Sequence, residues 1–208
     1  MAGQQLSWDS FPRPSVAVDT AVLTVRDEVL CVVLTEAHGD RRLPGAFLRP
    51  GERLEDAVDR SLVEKTGIGR LRPQQLHVFD DPHRDDRGWV LSVAHLDVVP
   101  LPRIESDRAH LVPVGDAYGL PFDHDRIVDL AVGRLREEYE PVADPRDLLS
   151  GMFTLRDLQR LHEAVAGEPL KREAFRKRME RQVAPTDEHL RGVVGKPPRL
   201  YEKKRARP

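Results

Sequence analysis

The stretch from Gly45 to Ile68, GAFLRPGERLEDAVDRSLVEKTGI, spaces its ionisable residues in a way that could do chemistry. Ser61, Glu64 and Lys65 lie three and four residues apart, so on a helix they share one face. That face carries one hydroxyl, one carboxylate and one ammonium. Glu52 and Arg60 stand upstream of it. A second concentration of charge is KREAFRKRMERQ, residues 171–182, with six basic side chains. Cations clustered along one element suit a polyanion.

Regular elements must position these groups. VAVDTAVLTVRD and EVLCVVLTEA read as two antiparallel strands, short and rich in β-branched residues. HGDRRLPGAFLRPGE reads as a loop, from its Gly, Pro and charge content. LEDAVDRSLVEKTG is helical: Leu54, Ala57, Val58, Leu62 and Ile68 keep to one face, and Gly67 stops it. LHVFDDP and WVLSVAHLDVVP read as two more strands around the polar loop PHRDDRG. HDRIVDLAVGRLREEY is an amphipathic helix with Ile127, Leu130, Ala131, Arg134 and Leu135 at helical spacing. The prolines of YEPVADPRDLLSGM mark a boundary near residue 145. TLRDLQRLHEAVAG is the next helix, with Thr154 as N-cap and Gly167 as stop. KREAFRKRMERQ is another and keeps Phe175 and Met179 for a core. RGVVGKPPRLYEKKR reads as a small hairpin.

Composition narrows the class. In 208 residues, 33% are charged and 5% aromatic, so the core rests on Val, Leu and Ala. Residues 151–208 hold 15 Lys and Arg against 8 Asp and Glu, a net of +7, whereas the whole chain is at −2. Only the C-terminal part is therefore suited to face a polyanion. The single cysteine, Cys31, lies in the apolar run EVLCVVL and is expected as a buried thiol on a strand. The N-terminal MAGQQLSWDSFPRPS has no apolar core of a signal peptide. No run approaches the roughly 20 apolar residues of a membrane span. A cytoplasmic protein without a membrane partner is expected.

Around Glu52 the sequence resembles the Nudix box, G-x5-E-x7-R-E-U-x-E-E-x-G-U with U bulky and apolar. Glu52, Arg60, Leu62, Glu64, Gly67 and Ile68 match; Ala46, Ser61 and Lys65 depart. In that family carboxylates at the positions of Ser61, Glu64 and Lys65 hold Mg²⁺ against a diphosphate. Here Ser61 is a weak neutral ligand and Lys65 a fixed positive charge. Two unit charges about 4 Å apart cost on the order of 4 kcal/mol at an effective dielectric near 20. The resemblance thus implies a box without efficient metal-dependent hydrolysis, in which Lys65 contacts a phosphate directly. Ala46 replaces a backbone-permissive glycine, which implies strain if that position needs a positive φ, and a ligand other than ADP-ribose in that case.

RPSVAVDTAVLTV, LPGAFLRPGE and FDDPHRDDRGWVLSVAHLDVVP, followed by FTLRDLQRLHEAVAGEPLKREAFRKRM and GKPPRLYEKK, resemble the Nudix-related regulators of NAD metabolism of the NrtR type. The resemblance runs from about Arg13 to Lys203 and implies an α+β chain. A Nudix α/β/α sandwich over 1–145 would sense the ligand, and a winged helix-turn-helix over 146–208 would bind DNA. It implies a homodimeric repressor of NAD-related genes on double-stranded operator DNA. Its effector would be ADP-ribose or a related nucleotide diphosphate, with no further cofactor and no bound metal. Phe47, Arg49, Arg84, Asp85 and Arg87 would form the ligand pocket, since arginine grips a diphosphate and a carboxylate accepts from ribose hydroxyls. Lys171, Arg172, Arg176 and Lys177 of the recognition helix, with Lys196 and Arg199 at the wing, would meet DNA. The alternative is a weak Nudix pyrophosphohydrolase acting through Glu52 and Glu64.

Overall fold

The computed structural model describes residues 11–37, 39–104, 106–192 and 197–204. Lys196, expected at the wing, lies outside them. A seven-stranded sheet is built from β1 (Ser15–Arg26), β2 (Val29–Ala37), β3 (Asp40–Arg42), β4 (Gly45–Phe47), β5 (Gln74–Phe79), β6 (Val90–Val98) and β7 (His110–Pro113). Its order is β3-β2-β1-β6-β5, with β4 also on β1 and β7 also on β2. β1 and β6 run parallel, and the other pairs are antiparallel. The lead-in expected as loop therefore contributes β3 and β4. Three-residue strands carry too little pattern to be seen among Gly, Pro and Arg.

β1 and β2 are buried along most of their length because both sheet faces are covered. Ala21, Leu23, Leu30, Val32 and Leu34 face one side. Val18, Val22 and Val33 face the other. This is the two-residue alternation of a strand. Helix α1 (Leu54–Thr66) closes the second side with Ala57, Val58 and Leu62. Helix α2 (His124–Tyr139) closes the first with Ile127, Val128, Ala131, Val132 and Leu135. The result is the expected α/β/α sandwich. Gly67 ends α1 at φ 73°, with its N–H on the Val63 carbonyl at 3.1 Å. In α2 the buried stripe widens toward Val128 and Val132, so Leu130 and Arg134 point outward rather than into the core. Cys31 is buried on β2 as expected. No helix among the described residues is long and apolar enough to cross a membrane.

Beyond α2 follow α3 (Leu155–Ala166), α4 (Arg172–Met179) and a hairpin of β8 (Val183–His189) and β9 (Arg199–Lys203). The Thr154 hydroxyl accepts the Asp157 N–H at 3.1 Å, and the Asp157 carboxylate accepts the Thr154 N–H at 2.9 Å. This reciprocal cap fixes where α3 starts. Two sequence expectations need correction here. The basic helix stops at Met179 rather than Gln182. The chain turns there, with the Gln182 N–H on the Met179 carbonyl at 2.8 Å and the Gln182 side chain reaching back to Ala143 N and Pro141 O. The hairpin starts eight residues earlier than Arg191, at Val183. Pro185 and the charges of TDEH hide that strand in the sequence.

A small core of Phe153, Leu158, Phe175, Met179 and Val183 holds this region together. Leu161 and Val165 of the same α3 belong instead to the core shared with α2. His162 sits at the junction. Its ring makes edge contacts with Tyr139 of α2 and Phe175 of α4, with centroids at 5.2 and 5.0 Å. Its Nε2 lies 2.6 Å from the Ala143 carbonyl. Burial pushes the His162 imidazole below its ordinary range; the Ala143 carbonyl only partly offsets this. The unfolded chain therefore takes up a proton that the folded chain resists. Stability is full above the ordinary histidine value and is lost as pH falls below it. We expect the thermal midpoint to fall between pH 7 and pH 5.5, and His162→Gln to flatten that slope. A slope unchanged in the variant would assign the pH dependence elsewhere.

Candidate functional site

Where β1, β4 and the start of α2 meet, a cavity of about 260 Å³ opens beside α1 and the PHRDDRG loop. Asp19 of β1 is a buried carboxylate in its wall. A buried carboxylate needs partners, and Asp19 has them. Ser92 Oγ donates to Oδ2 at 2.5 Å, and His124 Nε2 lies 3.3 Å from Oδ1. The Leu43 N–H donates to His124 Nδ1 at 3.1 Å, which leaves the ring proton on Nε2, facing Asp19. Burial alone would raise the Asp19 pKa. The hydrogen bond from His124, the Ser92 hydroxyl and the nearby Arg84 outweigh it and hold the carboxyl below its ordinary range.

Gly45 sits opposite Asp19 in the β1–β4 register. A Cβ there would come within 2.0 Å of Asp19 Oδ1 and 2.7 Å of the Val18 carbonyl. Glycine is required at 45 by close approach. Its neighbour Ala46 is absent from the positive-φ residues and pairs as an ordinary strand residue with Val18. The strain expected at Ala46 does not exist, and with it goes the argument for a ligand other than ADP-ribose.

The box residues divide by task. Glu52 and Arg60 form a two-bonded pair, Nε to Oε1 at 2.7 Å and Nη2 to Oε2 at 2.8 Å. Glu52 also accepts the Arg49 N–H at 2.8 Å, and Arg60 donates to the Phe47 carbonyl at 3.0 Å. These bonds pin the lead-in loop to α1. The Arg60 guanidinium and then the Arg49 N–H lower the Glu52 carboxyl to about 2. Ser61 is buried and donates to the Val58 carbonyl at 3.1 Å, so its oxygen is turned into the helix and not toward the cavity. This corrects its reading as a weak ligand. Glu64 lines the cavity between Arg49 at 3.8 Å and Arg60 at 3.9 Å. Lys65 also lines it, with Nζ on the Gly45 carbonyl; burial lowers its pKa.

Of the expected pocket residues, Phe47, Arg84, Asp85 and Arg87 come together in the cavity wall, and Arg49 does not. Arg84 is buried and bonded to Asp123 at 2.7 Å. Asp85, also buried, takes two bonds from Arg87 at 2.8 and 2.7 Å. Asp19, Arg42, Phe122 and His124 also line the wall and were missed in the sequence. Asp19 had a legible signal: a lone carboxylate inside SVAVDTAVLTV must be partnered. Arg42, Phe122 and His124 had none, since only the fold brings them to the site. The wall carries five cationic side chains (Arg42, Arg60, Lys65, Arg84, Arg87) against three carboxylates (Asp19, Glu64, Asp85). Among the described residues no cluster of His, Cys, Asp and Glu has the makings of a metal site.

On the C-terminal side, Lys171 and Arg172 stand exposed at the start of α4, and Lys177 further along it. Among the described residues none of the three has a carboxylate partner. Arg176 differs: its Nε bonds Glu180 at 2.7 Å, one turn on. Arg199 is exposed at the start of β9.

Residues 145–202 match the family model of the NrtR DNA-binding winged helix domain. The chain is 28% identical to the ADPR-responsive transcriptional repressor NtrR of Acinetobacter baylyi, over 95% of this chain and 85% of that protein. Its structure is similar to that of Shewanella oneidensis NrtR in complex with a 27mer DNA, with a TM-score of 0.73, 30% identity and coverage of 91% of this chain and 93% of the other. The NUDIX domain of the same Shewanella protein, in complex with ADP ribose, superposes with a TM-score of 0.56 at 29% identity, covering 63% of this chain and 94% of that one.

Proposed function

Because this chain belongs to the NrtR family, we propose that it is a DNA-binding repressor of NAD-related genes, released from its operator by ADP-ribose. The sandwich, residues 1–145, is the sensor. Residues 146–208 are the winged helix-turn-helix, acting in a cytoplasmic homodimer on a two-fold operator. The observation that carries the sensor reading is the convergence of guanidinium and ammonium groups on the cavity wall, with Lys65 on the α1 face beside Glu64. A diphosphate in such a pocket is neutralised by side chains without a divalent ion. Phe47, Arg84, Asp85 and Arg87 surround it, and Arg49 acts from outside through Glu64. The same facts support binding without hydrolysis. Lys65 repels a metal ion, and the inward-turned Ser61 offers it no oxygen. A sensor that leaves its signal intact can report its concentration.

The DNA half reads by α4. Lys171 and Arg172 lead into the major groove, and Arg199 follows the backbone. The three rings Tyr139, His162 and Phe175 join α2, which begins at the pocket, to α4. They are the contiguous packing through which a ligand could bias the DNA-binding helix.

Fluorescence anisotropy on DNA from upstream of the chain's own gene and of neighbouring NAD-related genes tests this reading, at fixed salt because phosphate contacts are salt-dependent. We expect binding in preference to scrambled DNA, reversed by ADP-ribose, with no AMP released in Mg²⁺. Lys65→Met should weaken ADP-ribose about tenfold or more, as loss of a charge-assisted contact. Specific binding indifferent to ADP-ribose would remove the effector and keep the repressor. AMP release that disappears in Glu64→Gln would instead make the chain a hydrolase.

A further inference from the structure

The cavity mouth carries two exposed aromatic rings, Phe47 at the end of β4 and Phe122 just before α2. Between them lies a flat cation. The Arg87 guanidinium carbon sits over the Phe47 ring, 5.6 Å from its centroid, and over the Phe122 ring at 5.1 Å. Phe122 holds φ at 59°, in the left-handed region, which is a true outlier for a bulky side chain. It is not a core residue, being 40% exposed. The residues that follow enforce the conformation. Asp123 takes Arg84 at 2.7 Å, and His124 is fixed between Asp19 and the Leu43 N–H. An exposed aromatic held in a strained backbone at a pocket mouth points to a function for the ring.

We propose that Phe47 and Phe122 form a stacking slot for the base of a nucleotide, and that the Arg87 guanidinium is the group the base exchanges with. Both are flat π-systems that lie on aromatic faces. Arg87 can swing outward, since its side chain is 59% exposed, at the cost of its two side-chain bonds to Asp85. Asp85 is not stranded by the exchange. It keeps the Arg87 backbone N–H at 3.0 Å and has Arg84 nearby. Its side chain can then accept from nucleotide hydroxyl or amino groups. The slot thus selects a nucleotide over a bare sugar phosphate or pyrophosphate. It tolerates different bases, because each has a π-face.

This inference rests on the sensor reading, and one titration separates the two. Wild type, Phe122→Gly and Phe47→Leu are titrated calorimetrically with ADP-ribose, ADP, GDP, ribose 5-phosphate and inorganic pyrophosphate. Glycine suits the backbone at 122, so Phe122→Gly should melt no lower than wild type while binding ADP-ribose about tenfold more weakly. Phe47→Leu should lose a similar factor. Both should lose clearly less for pyrophosphate and ribose 5-phosphate, which carry no base to stack, than for ADP-ribose. Equal loss for every ligand, or no loss for ADP-ribose, would overturn the slot. So would a wild type in which no base-bearing compound outbinds pyrophosphate. If ADP and GDP outbind pyrophosphate through Phe122 while ADP-ribose has no advantage over them, the slot stands and the effector assignment falls.

Discussion

Gly45→Ala should destabilise the protein by about 3 kcal/mol or more. The new Cβ would lie 2.0 Å from Asp19 Oδ1 and 2.7 Å from a backbone carbonyl. Asp19 cannot retreat, because Ser92 and His124 hold both of its oxygens. The backbone of β4 must move away, and the Lys65 contact to the Gly45 carbonyl goes with it. Urea unfolding should show a lower midpoint, and ADP-ribose affinity should fall in the fraction that stays folded. The control is next door. Ala46→Gly restores the glycine of the family pattern yet should cost at most about 1 kcal/mol, as a strand residue losing its Cβ. Equal effects at 45 and 46 would mean that the Asp19 contact does not decide this position.

The second large effect is on DNA. Lys171→Ala with Arg172→Ala should lower operator affinity up to about a hundredfold and reduce the salt slope by about two. Both side chains are exposed at the start of α4. Neither supports the core of Phe153, Leu158, Phe175, Met179 and Val183, so folding and ADP-ribose binding should be unchanged. Arg176→Ala should cost less, because Glu180 already occupies that guanidinium. Uniform loss on operator and scrambled DNA would assign the pair to phosphates. Loss confined to the operator would assign it to bases.

The main strands and helices were legible in the sequence, and the family resemblance implied the sandwich they form. β1, β2 and β6 carry apolar residues on both faces, α1 and α2 have helical periods, and Gly67 and Gly167 stop helices where a left-handed residue is needed. Thr154 and Asp157 announced the start of α3 through a local capping pattern. The box was legible because its spacing is a property of one helix. Local chemistry repeats along the chain, so it can be read there.

Tertiary structure decided what each box residue does. Ser61 and Lys65 share a face by spacing, yet packing turns the Ser61 hydroxyl inward to Val58 and seats Lys65 on the Gly45 carbonyl. Ala46 looked like the strained position, and the close approach falls on Gly45 because Asp19 lies across the sheet from it. Arg42 reaches the pocket from β3, and Phe122 and His124 reach it from the start of α2, far along the chain. The end of α4 was set by a Gln182 side chain bridging to Pro141 and Ala143, and β8 was masked by its proline and charges. Each of these depends on residues far apart in the chain, where neither periodicity nor spacing has anything to register.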